Sequence, residues 1–173
     1  MKLFKIKSMI KKYYQSVLLF LAVSLMITLG SCDPTKKYEK EEKDSIQNYL
    51  IQNGNLNFEL KSSGLYYLEV LTGTGLTPVI HDSAWVKYTG MLLDGTVFET
   101  NVGKADTAKY RVGEGEAISG FDEGVTYMKV GGKATFLVPS KLAWGTTGSA
   151  ILPGYTPVIF DVELVRVKPE SGK

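Results

Sequence analysis

The side chains that most often carry covalent or metal chemistry are scarce in this sequence. Its 173 residues include one cysteine, Cys32, and one histidine, His81. His81 stands beside Asp82 with no second histidine to complete a ligand set, so we interpret it as a surface loop residue. The Gly-x-Ser-x-Gly pattern of serine hydrolases does not occur in the sequence either. We therefore expect a protein that uses no metal and no cofactor.

The glycine-rich stretch Gly113-Glu114-Gly115-Glu116 has some likeness to a phosphate-binding loop. The next glycine comes five residues after Gly115, which is the wrong spacing for a dinucleotide-binding loop. Its two glutamates would also repel a phosphate group. We therefore reject a nucleotide-binding role for this stretch.

The lone cysteine follows a segment with the composition of a secretory signal. The first sixteen residues hold five lysines and no acidic residue, and Val17–Leu29 is an apolar run of 13 residues. This run is shorter than the roughly 20 apolar residues of a spanning helix, so an uncleaved anchor is the less favoured alternative. The sequence Leu-Gly-Ser-Cys is similar to the lipobox of bacterial lipoproteins. We expect residues 1–31 to be a signal peptide and Cys32 to be lipidated; otherwise Cys32 leaves with the signal or remains a free thiol.

Removal of the signal peptide would reverse the sign of the net charge. The whole chain has 20 basic and 18 acidic residues, and loss of the five lysines before Cys32 leaves 15 basic and 18 acidic, formally −3. No basic patch interleaved with aromatic residues is present. We therefore expect no nucleic-acid partner.

Residues 32–55 are interpreted as a charged tether with a possible short helix. Asp33–Asp44 mixes charges and offers almost nothing to bury. Asp44 or Ser45 is suited to cap a short helix that ends near Asn53 and has one apolar side, formed by Ile46, Tyr49 and Leu50. This helix either packs on the following domain or frays from it. It is too short for dimerisation, and we expect a monomer.

The stretch Gly120–Gly145 changes its hydrophobic period from helical to extended. Phe121, Val125 and Met128 share one face of a short helix, and Gly131-Gly132 offers a left-handed residue to end it. From Lys133 the period is two, which predicts a strand. Such a short helix is marginal in water and needs a sheet to pack on. Its apolar face is either an aromatic pocket wall or simply core.

Strand signals flank this unit on both sides. Asp94-Gly95 predicts a hairpin. The predicted strands cover about Gly64–Leu71, Trp85–Leu93, Thr96–Thr100, Lys109–Val112, Lys133–Val138 and Val158–Val165. Five or six short strands with one short helix predict an α+β fold, an antiparallel half-barrel sheet wrapped round the helix. This domain is predicted to cover residues 56–168, followed by a tail at 169–173. The loop Trp144–Gly154 combines glycines with large apolar side chains, which is typical of a binding element.

In this order, the motifs resemble those of the FKBP-type peptidyl-prolyl isomerases. The likeness runs from about Leu65 to Val167 and rests on these separated motifs: Tyr88-Thr89-Gly90-Met91, Asp94-Gly95 with Phe98, Gly120-Phe121-Asp122-Glu123-Gly124, Gly131, Pro139, Trp144-Gly145 and Phe160-Asp161-Val162-Glu163-Leu164. The resemblance implies an antiparallel sheet of five or six strands wrapped round one helix, in agreement with the prediction from the residues.

The resemblance also implies a pocket with aromatic walls that binds proline-containing polypeptides. By position, its catalytic residues correspond to Tyr88, Phe98, Glu99, Phe121, Trp144 and Phe160. Its substrate-binding residues correspond to Tyr110, Ala117, Ile118 and Leu152. We expect Phe121 and Trp144 to face the same cavity, and Tyr88 to donate a hydrogen bond to Glu99.

Several positions depart from the family's pattern. Phe121 stands for the usual tryptophan and Trp144 for the usual tyrosine, so both remain aromatic. Glu99 replaces an aspartate, Ala117 replaces a valine, and the loop by Ser149 is one residue shorter. The longer carboxylate is expected to narrow the pocket and weaken binding of bulky macrolides without changing the fold.

The function implied by the resemblance is peptidyl-prolyl cis-trans isomerisation. With the lipobox, it implies an enzyme that assists the folding of exported proteins and is held in the bacterial cell envelope by a lipid anchor at Cys32. The alternative is a non-catalytic FKBP-like binding or chaperone module tethered to the membrane, because the departures lie in the pocket itself.

Overall fold

The computed structural model of the protein describes residues 34–104 and 107–170. The predicted signal peptide, Cys32 and the last three residues lie outside the described residues. The chain divides into two compact units, Met1–Lys37 and Tyr38–Lys173, and the site discussed below lies in the second. Of the helices in the described part of the chain, none is long and apolar enough to cross a membrane.

The predicted α+β fold is confirmed, with a sheet of seven antiparallel strands in the described residues. The strands are β1 (Glu59–Leu60), β2 (Tyr66–Leu71), β3 (Ser83–Leu92), β4 (Val97–Thr100), β5 (Ala108–Arg111), β6 (Lys133–Val138) and β7 (Val158–Lys168). The helices are α1 (Pro34–Gln52), α2 (Ser119–Thr126) and a 3-10 turn at Ser140–Leu142. The strand beyond the predicted six is β1, which has only two residues.

The sheet order is β1-β2-β6-β7-β3-β4, and β5 also pairs with β3. Strand β7 lies in the middle of the sheet, paired with β3 along one edge and with β6 along the other. The inward side chains of β7, namely Val158, Phe160, Val162 and Leu164, are all buried. The two short strands β4 and β5 follow one another along the same edge of β3, which brings the chain from β4 past the concave face toward α2.

Helix α2 packs on the concave face of the sheet. Phe121 and Val125 are buried against Phe136 of β6 and the rest of the main core. Gly124 permits this close approach, because a Cβ added there would lie 2.7 Å from the Phe136 ring. The short helix is therefore held by tertiary contacts that its own length does not provide.

The end of α2 differs from the sequence prediction. The helix ends at Thr126, and Tyr127 caps it in a right-handed conformation with its N–H bonded to the carbonyl of Gly124. Met128 lies beyond the helix yet is only 2% exposed. Gly131 does adopt a left-handed conformation, with φ of 84°, but it serves the turn into β6, where its N–H donates to the carbonyl of Leu164. The tertiary pairing with β7 therefore determines the role of these glycines.

Helix α1 is longer than predicted, and its part around Ile46 packs on the face of the sheet opposite α2. It begins at Pro34, whereas the sequence predicted a solvated tether up to Asp44. Proline is favoured in the first turn, and the Lys- and Glu-rich stretch that follows has high helix propensity and i,i+4 charge pairs. Ile46 is 6% exposed and forms a second apolar cluster with Leu137 and Ile159. Burial of such a side chain contributes on the order of 2 kcal/mol.

The predicted tail begins as part of the domain. The N–H of Glu170 donates to Oδ1 of Asp82, and the Glu170 carboxylate pairs with Arg111 at 2.8 Å. Asp82 is buried, so these contacts tie the end of β7 back to the start of β3.

Candidate active site

A cluster of aromatic rings forms the concave side of the domain, with Phe121 at its centre. The ring of Phe121 meets those of Phe160, Tyr88, Tyr110 and Phe136 at centroid distances of 5.2, 5.6, 5.9 and 6.0 Å. All four contacts are edge-to-face, the arrangement that the ring quadrupoles favour. Phe121 is 5% exposed, so this side chain is both core and floor of the site.

Strand pairing places the other rings around this floor. Tyr88 and Gly90 lie on β3, opposite Val162 and Phe160 of β7. The Phe98 ring contacts Trp144 and Phe160 edge-on, at 5.9 Å in each case. Glycine at position 90 lets both rings lie close to the strand, because an added Cβ would lie 2.7 Å from Cζ of Phe98 and 2.9 Å from Cε1 of Phe160.

Several of these rings line an open cavity of about 380 Å³. It is lined by Val86, Tyr88, Glu99, Ala108, Lys109, Tyr110, Glu116, Ala117, Ile118, Phe121, Trp144 and Phe160. Eight of the ten predicted pocket residues are therefore brought together, and Phe121 and Trp144 face the same cavity as expected. Phe98 is not one of the lining residues, but its ring contacts those of Trp144 and Phe160, which are. Leu152, predicted at the rim, is instead 6% exposed and packs in the main core, because the loop folds back on itself.

The predicted hydrogen bond between Tyr88 and Glu99 is present in the cavity wall. The phenol oxygen donates to Oε1 of Glu99 at 2.7 Å. Burial raises the pKa of Tyr88, and the hydrogen bond to Glu99 and the charge of that carboxylate raise it further. The phenol therefore stays neutral near pH 7, and its proton points to the carboxylate.

The segment between β5 and α2 is held over the cavity by two carboxylates that the sequence analysis did not assign to the site. Oδ2 of Asp122 accepts the N–H of Gly113 at 2.8 Å, and Oε2 of Glu116 accepts that of Arg111 at 3.1 Å. Burial raises the pKa of Asp122, an effect that the Gly113 N–H opposes and the Glu116 charge reinforces. The position of Asp122 in the first helical turn was visible in the sequence, but its partner depends on the tertiary fold.

Tyr110 supplies a buried phenol to the same wall. Its hydroxyl is buried and has no hydrogen-bond partner among the described residues, and the same is true of Oδ1 of Asp122. Burial, followed by the charge of Asp122, raises the pKa of Tyr110. Tyr110 therefore acts as an apolar ring toward the cavity, in keeping with its edge contact to Phe121.

The loop that carries Trp144 is stiffened by its own hydrogen bonds. The N–H of Gly148 donates to the carbonyl of Trp144 at 3.1 Å, and the N–H of Tyr155 donates to that of Gly145 at 2.9 Å. Oγ of Ser149 accepts the N–H of Leu152 at 3.1 Å. The sequence predicted a binding element here, and the loop does form one side of the cavity through Trp144.

Acidic, histidine and cysteine side chains do not converge on a metal-like arrangement in residues 34–104 and 107–170, where no group of three or more was found. His81 is exposed on a loop, and its Nδ1 contacts Oε1 of Glu114. The cavity therefore offers aromatic surface, one tyrosine–glutamate hydrogen bond and the donor of Trp144, rather than a nucleophile with a base.

Comparison with known proteins shows which family the chain belongs to. A family profile described as FKBP-type peptidyl-prolyl cis-trans isomerase matches residues 75–165. The FKBP-type peptidyl-prolyl cis-trans isomerase FkpA of Aeromonas hydrophila is 37% identical over 140 residues, covering 77% of this chain and 52% of the relative. The macrophage infectivity potentiator of Trypanosoma cruzi is 34% identical over 142 residues, covering 76% of this chain and 71% of the relative.

Solved structures agree with this assignment. The crystal structure of a peptidyl-prolyl cis-trans isomerase from Pseudomonas syringae has a TM-score of 0.67 at 26% identity, covering 81% of this chain and 100% of that one. FkpA from Escherichia coli has a TM-score of 0.65 at 28% identity, covering 92% and 73%. The chain belongs to the FKBP-type peptidyl-prolyl cis-trans isomerase family, and the resemblance inferred from its motifs is confirmed. It spans about half the length of the Aeromonas relative, 52%.

Proposed function

We propose that this protein is a peptidyl-prolyl cis-trans isomerase that acts on proline-containing polypeptides. The observation that carries the proposal is the cavity of about 380 Å³ with Phe121 as floor and Tyr88, Trp144 and Phe160 as walls. The similarity of the chain to proteins named as isomerases supports the same activity. The pocket has the size and the aromatic walls that suit a proline ring and its neighbours.

The reaction asks for a surface rather than for a reactive group. Rotation about an X-Pro bond is slow because it breaks amide resonance, with a barrier of about 18–20 kcal/mol. The twisted amide has lost charge separation, so an apolar cavity favours it over the planar ground state. Differential binding of the twisted state therefore lowers the barrier. The rings around Phe121 supply this surface, and the indole N–H of Trp144 is a suitable donor to a substrate carbonyl.

The experiment that tests the role of the cavity uses the two tryptophans of the chain. Trp144 lines the cavity, whereas Trp85 stacks on Arg166, with the guanidinium carbon 3.6 Å from the ring centroid. We expect Trp144→Ala to lower kcat/KM on an X-Pro peptide by on the order of tenfold or more, as loss of a well-placed site group does. Trp85→Ala is the matched control and should keep most of the activity. Equal effects of the two changes would remove Trp144 from the site.

We propose further that the domain works as a monomer at a membrane of the bacterial cell envelope, where it assists the folding of exported proteins. The signal-like composition of residues 1–31 and the lipobox-like sequence before Cys32 support this localisation. Mass spectrometry of the membrane fraction should find Cys32 as a lipidated amino-terminal residue. Cys32→Ser should release the domain or block processing and leave its fold intact. A wild-type chain that keeps Met1, or that is cut elsewhere and is soluble, would overturn the anchor.

A non-catalytic binding module is the second candidate, and the replacement of the family's aspartate by Glu99 favours it. In that case the cavity would hold an X-Pro segment without accelerating its isomerisation. Measurement of peptide binding beside turnover separates the two functions, because only the enzyme shows both.

A further inference from the structure

Helix α1 is hydrogen-bonded to the segment that leads to Trp144. The carboxylate of Glu42 accepts two hydrogen bonds from Ser140, one from its backbone N–H and one from its hydroxyl, the latter at 2.7 Å. Ser140 is 4% exposed, and Glu42 is half-buried beside it. Hydrogen bonds to a charged acceptor in such a partly desolvated place are among the stronger ones in proteins.

Ser140 in turn determines the path of the chain at Trp144. Its carbonyl accepts the N–H of Ala143 at 2.9 Å and that of Gly145 at 2.7 Å. These two residues flank Trp144, whose side chain lines the cavity. Ser140 therefore both donates to Glu42 and fixes the backbone on either side of Trp144.

A second contact of α1 holds the far end of the same loop. The ring of Tyr38 stacks on that of Tyr155 with centroids 5.4 Å apart. Tyr155 has φ of 59°, a conformation that costs energy for a residue with a side chain and needs support from its surroundings. Its N–H donates to the carbonyl of Gly145, next to Trp144.

We propose that Glu42 is a positioning residue for the active site: through Ser140 it fixes the placement of Trp144 against the aromatic cavity. The catalytic consequence rests on the proposed function, whereas the placement of Trp144 does not. Ile46 supplies the hydrophobic anchor that keeps α1 on the sheet, so the two hydrogen bonds of Glu42 act at a fixed location.

The test follows the environment of Trp144 directly, in the full-length chain. Trp85→Phe leaves Trp144 as the single tryptophan, and acrylamide quenching of its fluorescence then reports how tightly the loop holds it. Glu42→Ala removes both hydrogen bonds. Glu42→Gln is the conservative variant, because its amide can accept the N–H of Ser140 and donate to the hydroxyl. Glu39→Ala is the matched control, one turn earlier on the same helix and exposed.

We expect Glu42→Ala to increase quenching of Trp144 at least twofold, and kcat/KM on an X-Pro peptide to fall on the order of tenfold, as misplacement of a substrate-contacting group does. Glu42→Gln should restore most of both properties, and Glu39→Ala should match the parent chain. If Glu42 contributed only to general stability, we would not expect Glu42→Gln to restore both the quenching and kcat/KM while Glu39→Ala leaves them unchanged.

The outcomes separate this inference from the proposed function. Unchanged quenching in a folded Glu42→Ala chain would overturn the positioning role, whatever the activity of the parent. Increased quenching in a chain whose parent shows no turnover would uphold the positioning and overturn the isomerase proposal. If Glu42→Ala does not fold, Ser140→Ala removes only the hydroxyl bond. Native quenching in that folded variant would overturn the inference, and raised quenching would support it.

Discussion

The hydroxyl of Tyr88 donates to Oε1 of Glu99 across strands β3 and β4, at 2.7 Å, in the wall of the aromatic cavity. The bond fixes the phenol ring beside Phe121 and Phe160, with centroids 5.6 and 6.1 Å away. The position of the Tyr88 ring in the cavity wall therefore depends on where the Glu99 side chain places its carboxylate, and so on the length of that side chain.

Removal of this hydrogen bond should loosen the wall. We expect Tyr88→Phe to lower kcat/KM several-fold, since one hydrogen bond to a charged group is worth about 1.5–3 kcal/mol and only part of it acts in the transition state. The matched control is Tyr127→Phe, which removes a second tyrosine–glutamate bond, from Tyr127 to Glu123 at 2.8 Å, on the exposed side of α2. Equal losses from the two substitutions would contradict a specific role for Tyr88.

The same phenol should give stability a dependence on alkaline pH. Burial raises the pKa of Tyr88 above its ordinary value of about 10, with further contributions from the Glu99 hydrogen bond and charge. The unfolded chain therefore loses the Tyr88 proton first, so the stabilisation is complete below about pH 10 and declines as pH rises toward the folded-state pKa. The difference in free energy of unfolding between wild type and Tyr88→Phe, as measured by urea titration, should shrink as the pH rises above about 10. A constant difference would refute the assignment.

The length of residue 99 should affect ligand size more than stability. Glu99→Asp withdraws the carboxylate from the cavity, so a bulky macrolide should bind more tightly, while the free energy of unfolding should change by less than about 0.5 kcal/mol at this exposed position. Glu69→Asp is the control, because Glu69 is exposed on β2 and accepts the hydroxyl of Thr72 at 2.7 Å. Isothermal titration calorimetry gives the affinities. Unimproved affinity and turnover in Glu99→Asp would mean that this carboxylate does not limit the pocket.

Gly90 is the position where a single methyl group should disturb the site most. Its added Cβ would lie within 2.9 Å of the rings of both Phe98 and Phe160. We expect Gly90→Ala to lower the free energy of unfolding by about 1–3 kcal/mol through overpacking, and to shift the aromatic side-chain NMR signals of both rings. Denaturant titration and side-chain spectra check this together. If Gly90→Ala has the stability of the wild type and unshifted spectra, the rings of Phe98 and Phe160 accommodate the added methyl group without loss of stability, which contradicts the prediction.

Local patterns sufficed for most of the fold. The period-two alternation of β7, from Val158 to Leu164, and the Asp94-Gly95 hairpin were both readable in the sequence, because each depends on neighbours along the chain. The eight predicted residues that line the cavity followed from the family resemblance rather than from chemistry, since aromatic walls have no reactive signature.

The features that the sequence did not predict depend on distant partners. Glu42 meets Ser140 across 98 positions of the chain, and neither residue has a distinctive local pattern. The lack of apolar residues after Pro34 predicts a solvated tether, but the helix propensity of its Lys and Glu residues allows α1 to begin at Pro34. The resemblance implies a rim position for Leu152, whereas the backbone N–H groups of Ile151 and Leu152 both donate to Oγ of Ser149 and Leu152 packs in the core.

Two-dimensional NMR exchange spectroscopy on an X-Pro peptide, with the full-length chain at substoichiometric concentration, measures cis–trans interconversion without any coupled reaction. The uncatalysed exchange takes tens to hundreds of seconds and gives no cross-peaks on the NMR timescale. We predict cis–trans cross-peaks with the wild-type chain and their strong reduction with Trp144→Ala. Peptide line broadening without exchange cross-peaks would mean that the aromatic cavity binds proline segments and does not catalyse their isomerisation.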